Sequence, residues 1–375
     1  MLYEIHMLKN YPPTNLNRDD TGAPKTCLFG GVTRGRISSQ CLKRAWRTSD
    51  FFREELGDIR LGVRTRKLPE LVAEKLLEKG VSQEYVEAVK PRISGFGNKD
   101  GKETKDGSYT KQVIFFAPED IEAVAEAVKE KLDECKAVKD VEKISAKDLQ
   151  NAVKGAKDRA ITLDIALFGR MVTSDAFRDV EASMQVAHAI STNKVSVESD
   201  YFTAMDDLLG GENLDEKGAG MIDDVDYNSS CYYLYASLDT DSLREALKDS
   251  EEADKIVRIA LPALFRTMAF TNPSGKQNSF AGHVLPSAVL IECKEKKIPT
   301  SMVNAFVEPV WGRDYVRESI QKLADEVDLT ERCFGLPVKE RLWFCVDKYS
   351  VCPASATKVC SSFSNLVDEA AALLP

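Results

Sequence analysis

The chain has 375 residues, 51 basic and 60 acidic side chains and a formal net charge of −9, and 43% of its residues are hydrophobic. This composition fits a globular protein with a sizeable core, and no run of about 18 apolar residues predicts a membrane span. The first residues lack the basic and apolar segments of a signal peptide, so we expect a cytoplasmic protein. Taken as a whole, the acidic balance argues against a nucleic-acid partner.

The predicted elements begin with a strand over Leu2–Leu8, where apolar and polar residues alternate loosely. Residues Asn10–Gly35 are rich in Pro, Asn, Asp and Gly and predict a long loop. A helix follows, capped by Ser38 or Ser39 and running to about Leu56.

Residues 67–159 have the apolar spacing of helices and predict a helical insertion. One helix begins at Pro118, where a missing amide costs nothing, and a capping box of Ser145 with Asp148 begins another. Between the helices, the polar and glycine-rich segment Ser94–Lys111 predicts a mobile surface loop.

After residue 160 the pattern favours strands over Ile161–Met171, Ser183–Ser191, Cys231–Leu238 and Val284–Glu292, with a helical stretch over Asp241–Met268 before the last. Residues 192–228 are long, polar and acidic, as in a protruding loop or hairpin. This order predicts an α+β fold of the β-α-β-β-α-β kind with an antiparallel sheet. Residues 1–66 and 160–375 would form one domain, and residues 67–159 would be inserted into it.

The nine cysteines are scattered, and no pair has the Cys-x-x-Cys spacing of a zinc or redox site. The three histidines lie far apart in the chain. We therefore expect reduced thiols, no metal site and no cofactor.

The charge is distributed unevenly along the chain. Residues 18–47 contain seven basic and two acidic side chains, or +5, whereas residues 198–226 contain ten acidic side chains and one lysine, or −9. Because electrostatic recognition acts over about one Debye length, roughly 8–10 Å, a basic site is compatible with an acidic protein.

The predicted helix that begins at Ser39 carries this basic charge on one face. At about 100° per residue, its cations and Gln40 share one arc, and Leu42 and Ala45 lie opposite. The N-terminus adds free amides and serine hydroxyls, which suit a phosphate. The candidate anion-binding residues are Arg18, Lys25, Arg34, Arg36, Ser38, Ser39, Gln40, Lys43, Arg44 and Arg47.

Each of these patterns has an alternative interpretation. A solvated basic helix face fits the helix pattern as well, and Asp19 with Asp20 fits either a metal site or a turn. Lys276 and Gln277 predict a further backbone contact or an ordinary surface turn. A lysine stripe over Lys136–Lys147 is largely neutralised by nearby acids and favours a solvated face, with a diffuse nucleic-acid contact as the alternative.

Several segments, in order, resemble the CRISPR-associated CasC family of the Cas-seven superfamily, the backbone subunit of type I-E Cascade. The matching segments are Asn17-Arg18-Asp19-Asp20, Phe29-Gly30-Gly31, Arg36–Ala45, Asp164–Met171, Ala187–Ile190 and Phe202–Leu208. They cover the first two-thirds of the chain, and the last third matches mainly at Lys276-Gln277.

The resemblance implies a modified RRM, or ferredoxin-like, palm, a helical finger insertion and a thumb over residues 192–228. Copies of such a protein line up along the spacer of a CRISPR RNA, beside other Cascade subunits, and present the guide to target DNA. The palm grip falls on Arg18, Lys25, Ser38, Gln40, Lys43, Arg44 and Arg47. The residues that would wedge between bases are Met171, Phe202 and Thr203, and His6 and His188 fall in strands as core residues.

A non-catalytic RNA-binding scaffold is therefore the function that we expect, since such contacts accept any spacer sequence. An enzyme that cuts target RNA with Asp19 or Asp20, and an RNA-binding module that works without neighbouring copies, are the alternatives.

Overall fold

The structure of the protein is a computed structural model that describes residues 1–204, 221–250 and 252–375 and, at residues 203, 204, 221 and 222, the backbone only. The strands are β1 Leu2–Thr14, β2 Thr26–Phe29, β3 Val32–Ile37, β4 Val63–Thr65, β5 Ile114–Phe116, β6 Met184–Val186, β7 Ala189–Ser191, β8 Glu198–Ala204, β9 Met221–Asp239, β10 Ala288–Lys294, β11 Val338–Cys345 and β12 Lys358–Val359.

A 3₁₀ turn spans Met302–Phe306. The α-helices are α1 Ser39–Arg47, α2 Asp50–Leu56, α3 Leu68–Glu78, α4 Gln83–Ile93, α5 Pro118–Asp133, α6 Val138–Val141, α7 Ala146–Ala152, α8 Leu163–Phe168, α9 Thr240–Ala246, α10 Ala253–Phe270, α11 Gln277–Phe280, α12 Tyr315–Phe334 and α13 Phe363–Ala372.

The chain divides into two compact units. The first contains residues 1–56, 185–239 and 261–375, and the second contains residues 57–184 and 240–260. The second unit is thus larger than the predicted insertion over residues 67–159, because its core also includes Val172, Ala176 and Phe177.

The first unit is built on one large sheet with strand order β12-β11-β10-β1-β9-β7-β3-β2. Strands β6 and β8 also pair with β9. Along this order the neighbours are antiparallel except β11 and β12. The long strand β1 lies between β9 and β10 and is buried from Leu2 to Leu8. On one side Leu8 joins a core with Trp343 and helix α12, and Tyr3 stacks on Phe265 of α10. The mixed α and β architecture with an antiparallel sheet is therefore confirmed.

Buried charges lie within this sheet. Lys294 contacts both Glu4 and Glu292, and Arg341 donates from Nε to Glu292 at 2.6 Å. His6 is fully buried, its Nδ1 lies 2.8 Å from the hydroxyl of Tyr233, and burial lowers its pKa to about 4. His6 is therefore a neutral core residue, as predicted.

Two predicted elements were wrong. Residues 10–35 are a loop only over residues 15–25, because β1 continues to Thr14 and β2 and β3 form a hairpin. Its turn is Gly30-Gly31, both at positive φ, which glycine adopts without steric cost. Residues 161–171 contain helix α8 rather than a strand, since a fully buried apolar run has no periodicity that separates the two. The segment 94–111 contains no helix or strand, as predicted for a loop, but it contributes Phe96 to the core of the second unit.

The helix starts were predicted correctly. Ser38 is the N-cap of α1, and its hydroxyl accepts from the amide of Cys41. Pro118 begins α5, and Ser145 and Asp148 form a capping box at α7. The predicted long first helix is two helices, since α1 ends at Arg47 before α2 begins at Asp50. Among the helices in the described part of the chain, none is both long and apolar enough to cross a membrane.

Candidate nucleic-acid interface

Helix α1 presents polar and apolar faces, as its sequence predicts. Leu42 and Trp46, four residues apart, are each 1% exposed and anchor the helix to the first unit. Gln40 and Arg44 are exposed, and Ser39, Lys43 and Arg47 are half-buried. Partial burial lowers the pKa of Lys43. The structure therefore brings the predicted cations of α1 onto one surface.

The loop before β2 is tied to the start of this helix through Asn17. Its side-chain Oδ1 accepts from the amide of Ser38 at 2.8 Å, and its backbone carbonyl accepts from the amide of Lys25 at 2.8 Å. Asn15 extends the connection by donating from Nδ2 to the carbonyls of Gly22 and Asp226. These bonds hold the exposed Arg18 and the half-buried Lys25 beside α1. Asn17 is thus a positioning residue that the charge pattern did not reveal.

A third segment, residues 271–282, completes the surface. An open cleft of about 550 Å³ is lined by Leu16–Gly22, Cys41, Ser274 and Gly275, so both loops and the helix border one space. Gly275 lies so close to the chain at Leu16 that a Cβ atom there would stand 2.3 Å from the Leu16 carbonyl oxygen. Lys276, next to this contact, has a left-handed backbone with φ of 50°, which is uncommon outside glycine.

Buried polar groups also hold residues 271–282 in place. Lys9 is 1% exposed, and its Nζ donates to the Thr271 carbonyl at 3.4 Å and to Asn272 Oδ1 at 3.3 Å. Burial lowers the pKa of Lys9 to about 7. Gln277 donates to the Pro273 carbonyl at 2.8 Å and so closes the loop from within.

Two of the predicted contact residues have structural roles here. Arg34 is completely buried, and its guanidinium donates to backbone carbonyls of β2, of residues 191–192 and of residues 306–307, which leaves it no surface for a phosphate. Ser38 is 5% exposed, and its hydroxyl is used by the helix cap. The Gly30-Gly31 pair is the hairpin turn, and Gly30 packs against Val307.

Arg36 stays at the surface, with His188 beside it. The Arg36 Nε donates to the Thr26 carbonyl, and its Nη1 lies 3.1 Å from Nδ1 of His188. His188 is exposed rather than part of the core, so that prediction was wrong. Partial burial and the nearby charges of Arg36 and Lys25 lower its pKa, which favours a neutral ring at pH 7.

Asp19 shapes the loop itself. Its Oδ1 accepts from the amide and hydroxyl of Thr21 and from the amide of Ala23, and these bonds, the Thr21 hydroxyl first, lower its pKa. Among the described residues, no group of three His, Cys, Asp or Glu side chains is placed to hold a metal ion.

The acidic segment over residues 192–228 contains a hairpin made by β8 and the first part of β9. Strand β9 then continues into the large sheet beside β1, so the hairpin is an extension of that sheet. Phe202 is 38% exposed opposite Asp223, and Tyr201, which the sequence pattern did not single out, is 65% exposed opposite Asp224. The backbone of Thr203 pairs with Ile222, and its side chain lies outside the described residues.

Met171, in the second unit, is 91% exposed, the largest value among its exposed apolar side chains in the described part of the chain. Its two neighbours are fixed. Arg170 is buried, exchanges backbone hydrogen bonds with Val180 and contacts Asp120, and the amide of Val172 donates to Asp179. Met171 therefore protrudes between two anchored residues, and its role as a base wedge stays a prediction.

With this geometry described, comparison with known proteins gives the family. The chain belongs to the CT1975-like protein family, whose model matches residues 3–369. It is 27% identical to a chain of a solved structure titled "CRISPR RNA-guided surveillance complex, pre-nicking", with a TM-score of 0.83 and 99% of each chain covered. A chain of a "CRISPR RNA-guided surveillance complex" shares its fold, at 22% identity and a TM-score of 0.62 with 99% of each chain covered. Among curated proteins, no relative matches.

Proposed function

We propose that this protein is a Cas-seven-like backbone subunit of a CRISPR RNA-guided surveillance complex, of the type I-E Cascade kind that the sequence resembles. The observation that carries the proposal is one cleft that is lined by Arg18, by Cys41 of α1 and by Ser274 and Gly275 next to Lys276. Lys25 and Arg44 both act electrostatically on the same Cys41. Phosphate groups suit this surface, because cations and helix-terminal amides contact a backbone without reading its bases. A solved relative within a surveillance complex, alike over 99% of both chains, supports the same role.

The first unit would serve as the palm. Its strands β10, β1, β9 and β7 lie in the order expected of a ferredoxin-like sheet, and α1 and α10 follow the first and third of its strands along the chain. We infer from this order that the palm is a modified RRM, with the second unit as the finger and residues 192–228 as the thumb.

In this proposal, copies of the chain line up along the spacer, next to other Cascade subunits in the cytoplasm. Each α1 surface holds a short stretch of guide backbone, and Phe202, Thr203 and Met171 interrupt base stacking so that the guide is presented in segments to target DNA. The role requires no catalytic residue and no cofactor.

The palm is tested by replacing two cations of α1. The variant Lys43→Gln/Arg44→Gln should bind guide RNA more weakly for unrelated spacers alike, and the slope of log K against log salt should fall by about 1.4 for two phosphate contacts to a single strand. Lys248→Gln/Lys255→Gln removes the same charge from exposed lysines that already pair with glutamates, and it is the matched control. A loss that depends strongly on spacer sequence, or an equal loss in the control, would contradict the proposal.

The enzymatic alternative places a metal-assisted cut at Asp19 or Asp20. The three donors on Asp19 Oδ1 favour the turn instead, since they already occupy that oxygen. Incubation of the assembled complex with complementary RNA and Mg²⁺ separates the two: periodic cleavage that Asp19→Ala or Asp20→Ala abolishes would establish the enzyme. Bound mass that does not increase stepwise with guide length would instead favour a module that works alone.

A further inference from the structure

The second unit contains a basic two-stranded ribbon that the sequence analysis did not single out. Strand β4 pairs with β5 in antiparallel register, with Arg64 opposite Phe115. The two segments that form and flank the ribbon, residues 59–69 and 107–117, contain five basic side chains and no carboxylate. Their charge of +5 over 22 residues exceeds in density that of residues 18–47, which was the strongest basic signal in the sequence.

Three of the five cations have no acidic partner. Arg60 pairs with Glu119 at 2.7 Å and Lys67 pairs with Glu70 at 3.0 Å. Arg64, Arg66 and Lys111 are exposed, and no carboxylate of the described residues contacts them. Unpaired cations that share one short ribbon repel one another, so a polyanion is the ligand that such a surface favours.

Arg66 is held in place by its own neighbours. Its Nε donates to the Thr110 carbonyl at 2.7 Å, the amide of Thr110 donates back to the Arg66 carbonyl at 2.8 Å, and the guanidinium lies 5.7 Å from the ring centroid of Tyr109. Tyr109 is 40% exposed. An arginine beside an exposed aromatic ring is a combination on which bases stack and phosphates bind.

The ribbon is also anchored. The inner side chains of β5, Ile114 and Phe116, are buried in the core of the second unit, whereas Val63 and Val113 are exposed among the cations. By comparison, the lysines over Lys136–Lys147 are interspersed with acids, and Lys143 is already paired with Asp140 at 2.7 Å. The ribbon is therefore the stronger polyanion surface of this unit.

We propose that the ribbon of Arg64, Arg66, Tyr109 and Lys111 is a second nucleic-acid contact, which binds the phosphate backbone of the DNA strand that pairs with the guide. The identity of that strand rests on the proposed function, whereas the affinity of the ribbon for a phosphate backbone does not. A nucleic acid fits better than an acidic protein segment, because the ribbon offers an exposed aromatic ring in addition to its charge.

The test compares three variants of the full chain, assembled with a guide. Arg64→Gln/Arg66→Gln/Lys111→Gln removes the three unpaired cations, and Arg64→Gln/Lys111→Gln spares the hydrogen bonds of Arg66. The control, Lys154→Gln/Lys248→Gln/Lys255→Gln, removes equal charge from exposed lysines of the same unit that already pair with glutamates. The measurements are guide RNA per chain and the Kd for a complementary single-stranded DNA over a series of salt concentrations. The triple ribbon variant should keep its guide, bind the DNA on the order of tenfold or more weakly, and lower the salt slope by about 2.

Unchanged DNA binding by the ribbon variants, or an equal or larger loss in the lysine control, would overturn the proposal. Fewer copies per guide with unchanged DNA binding would mean that the ribbon contacts protein, which overturns it as well. If the wild-type chain binds no guide at all, the proposed function fails, and the same variants are then compared on random-sequence DNA. A weaker binding by the ribbon variants alone would still support the ribbon there, and equal binding would refute it.

Discussion

Arg34 offers the sharpest test of the structure, because the sequence predicts a phosphate contact there and the fold buries it. Its five hydrogen bonds go to the carbonyls of Phe29, Ser191, Thr192, Phe306 and Val307, at distances from 2.6 to 3.3 Å. Replacing the guanidinium with a thioether of similar length, as in Arg34→Met, removes all five. At about 1 kcal/mol for each bond, and allowing for the partner that the Thr192 carbonyl retains in Val310, we expect a loss of about 4 kcal/mol.

The assay is thermal unfolding of the full chain, in which a loss of this size should lower the midpoint of the first unit by about 10 °C. Arg34→Lys keeps the charge but not the forked geometry, and it should fall between the wild type and Arg34→Met. Arg36→Met is the control on the same strand, where a half-exposed side chain should cost about 1 kcal/mol or less. An Arg34→Met protein that melts like the wild type but no longer binds guide RNA would refute the reasoning and make Arg34 a contact residue.

Three further predictions follow from buried or strained positions. Asp120→Asn should destabilise the second unit by about 3–5 kcal/mol in chemical denaturation, because the side chains of Arg159 and Arg170, which are 9% and 2% exposed, lose their shared carboxylate; a loss below about 1 kcal/mol would contradict this. His6 has a lower pKa in the fold than its ordinary value of 6.5, so the unfolded chain takes up the proton first and stability falls as the pH drops from 6.5 towards 4. The loss of stability from His6 amounts to about 2 kcal/mol at about pH 5. The difference in unfolding free energy between the wild type and His6→Gln, measured over a series of pH values, should change by this amount; a difference that does not vary with pH would contradict the prediction. Gly30→Ala should be far more damaging than Gly31→Ala, since both residues have positive φ but only the added Cβ at Gly30 would collide with a backbone carbonyl; equal melting temperatures would show that the turn gives way.

Much of the candidate interface was predictable because its signals are local. The cap at Ser38, the cationic and apolar arcs of α1 and the acidic hairpin depend on residues within a few positions of one another, and the structure has them where the sequence predicts. Met171, which the family resemblance singled out, is 91% exposed, and its contact role stays a prediction. The basic ribbon was not found, since its two segments are 37 residues apart and only their pairing adds the charges together.

The wrong predictions concern positions whose secondary structure or exposure depends on contacts with distant parts of the chain. Residues 161–171 are largely apolar and were predicted as a strand, yet Leu163–Phe168 form a helix that is buried at nearly every position, so the apolar pattern did not identify it. His188 lies in an apolar stretch that predicts a core residue, but the fold leaves it exposed beside Arg36.

The sequence by itself determined the family, the mixed α and β architecture and the unequal distribution of charge that hides a basic surface within a protein of net charge −9. Only the tertiary structure decided which of those charges remain at the surface. Arg34 and Arg36 occupy alternate positions of β3 and so belong to the same face of the strand, and nothing in their neighbourhood along the chain separates them. Residues 191–192 and 306–307, more than 150 positions away, cover one guanidinium with carbonyl groups and leave the other half-buried, because a buried charge is tolerated only where the fold supplies it with partners.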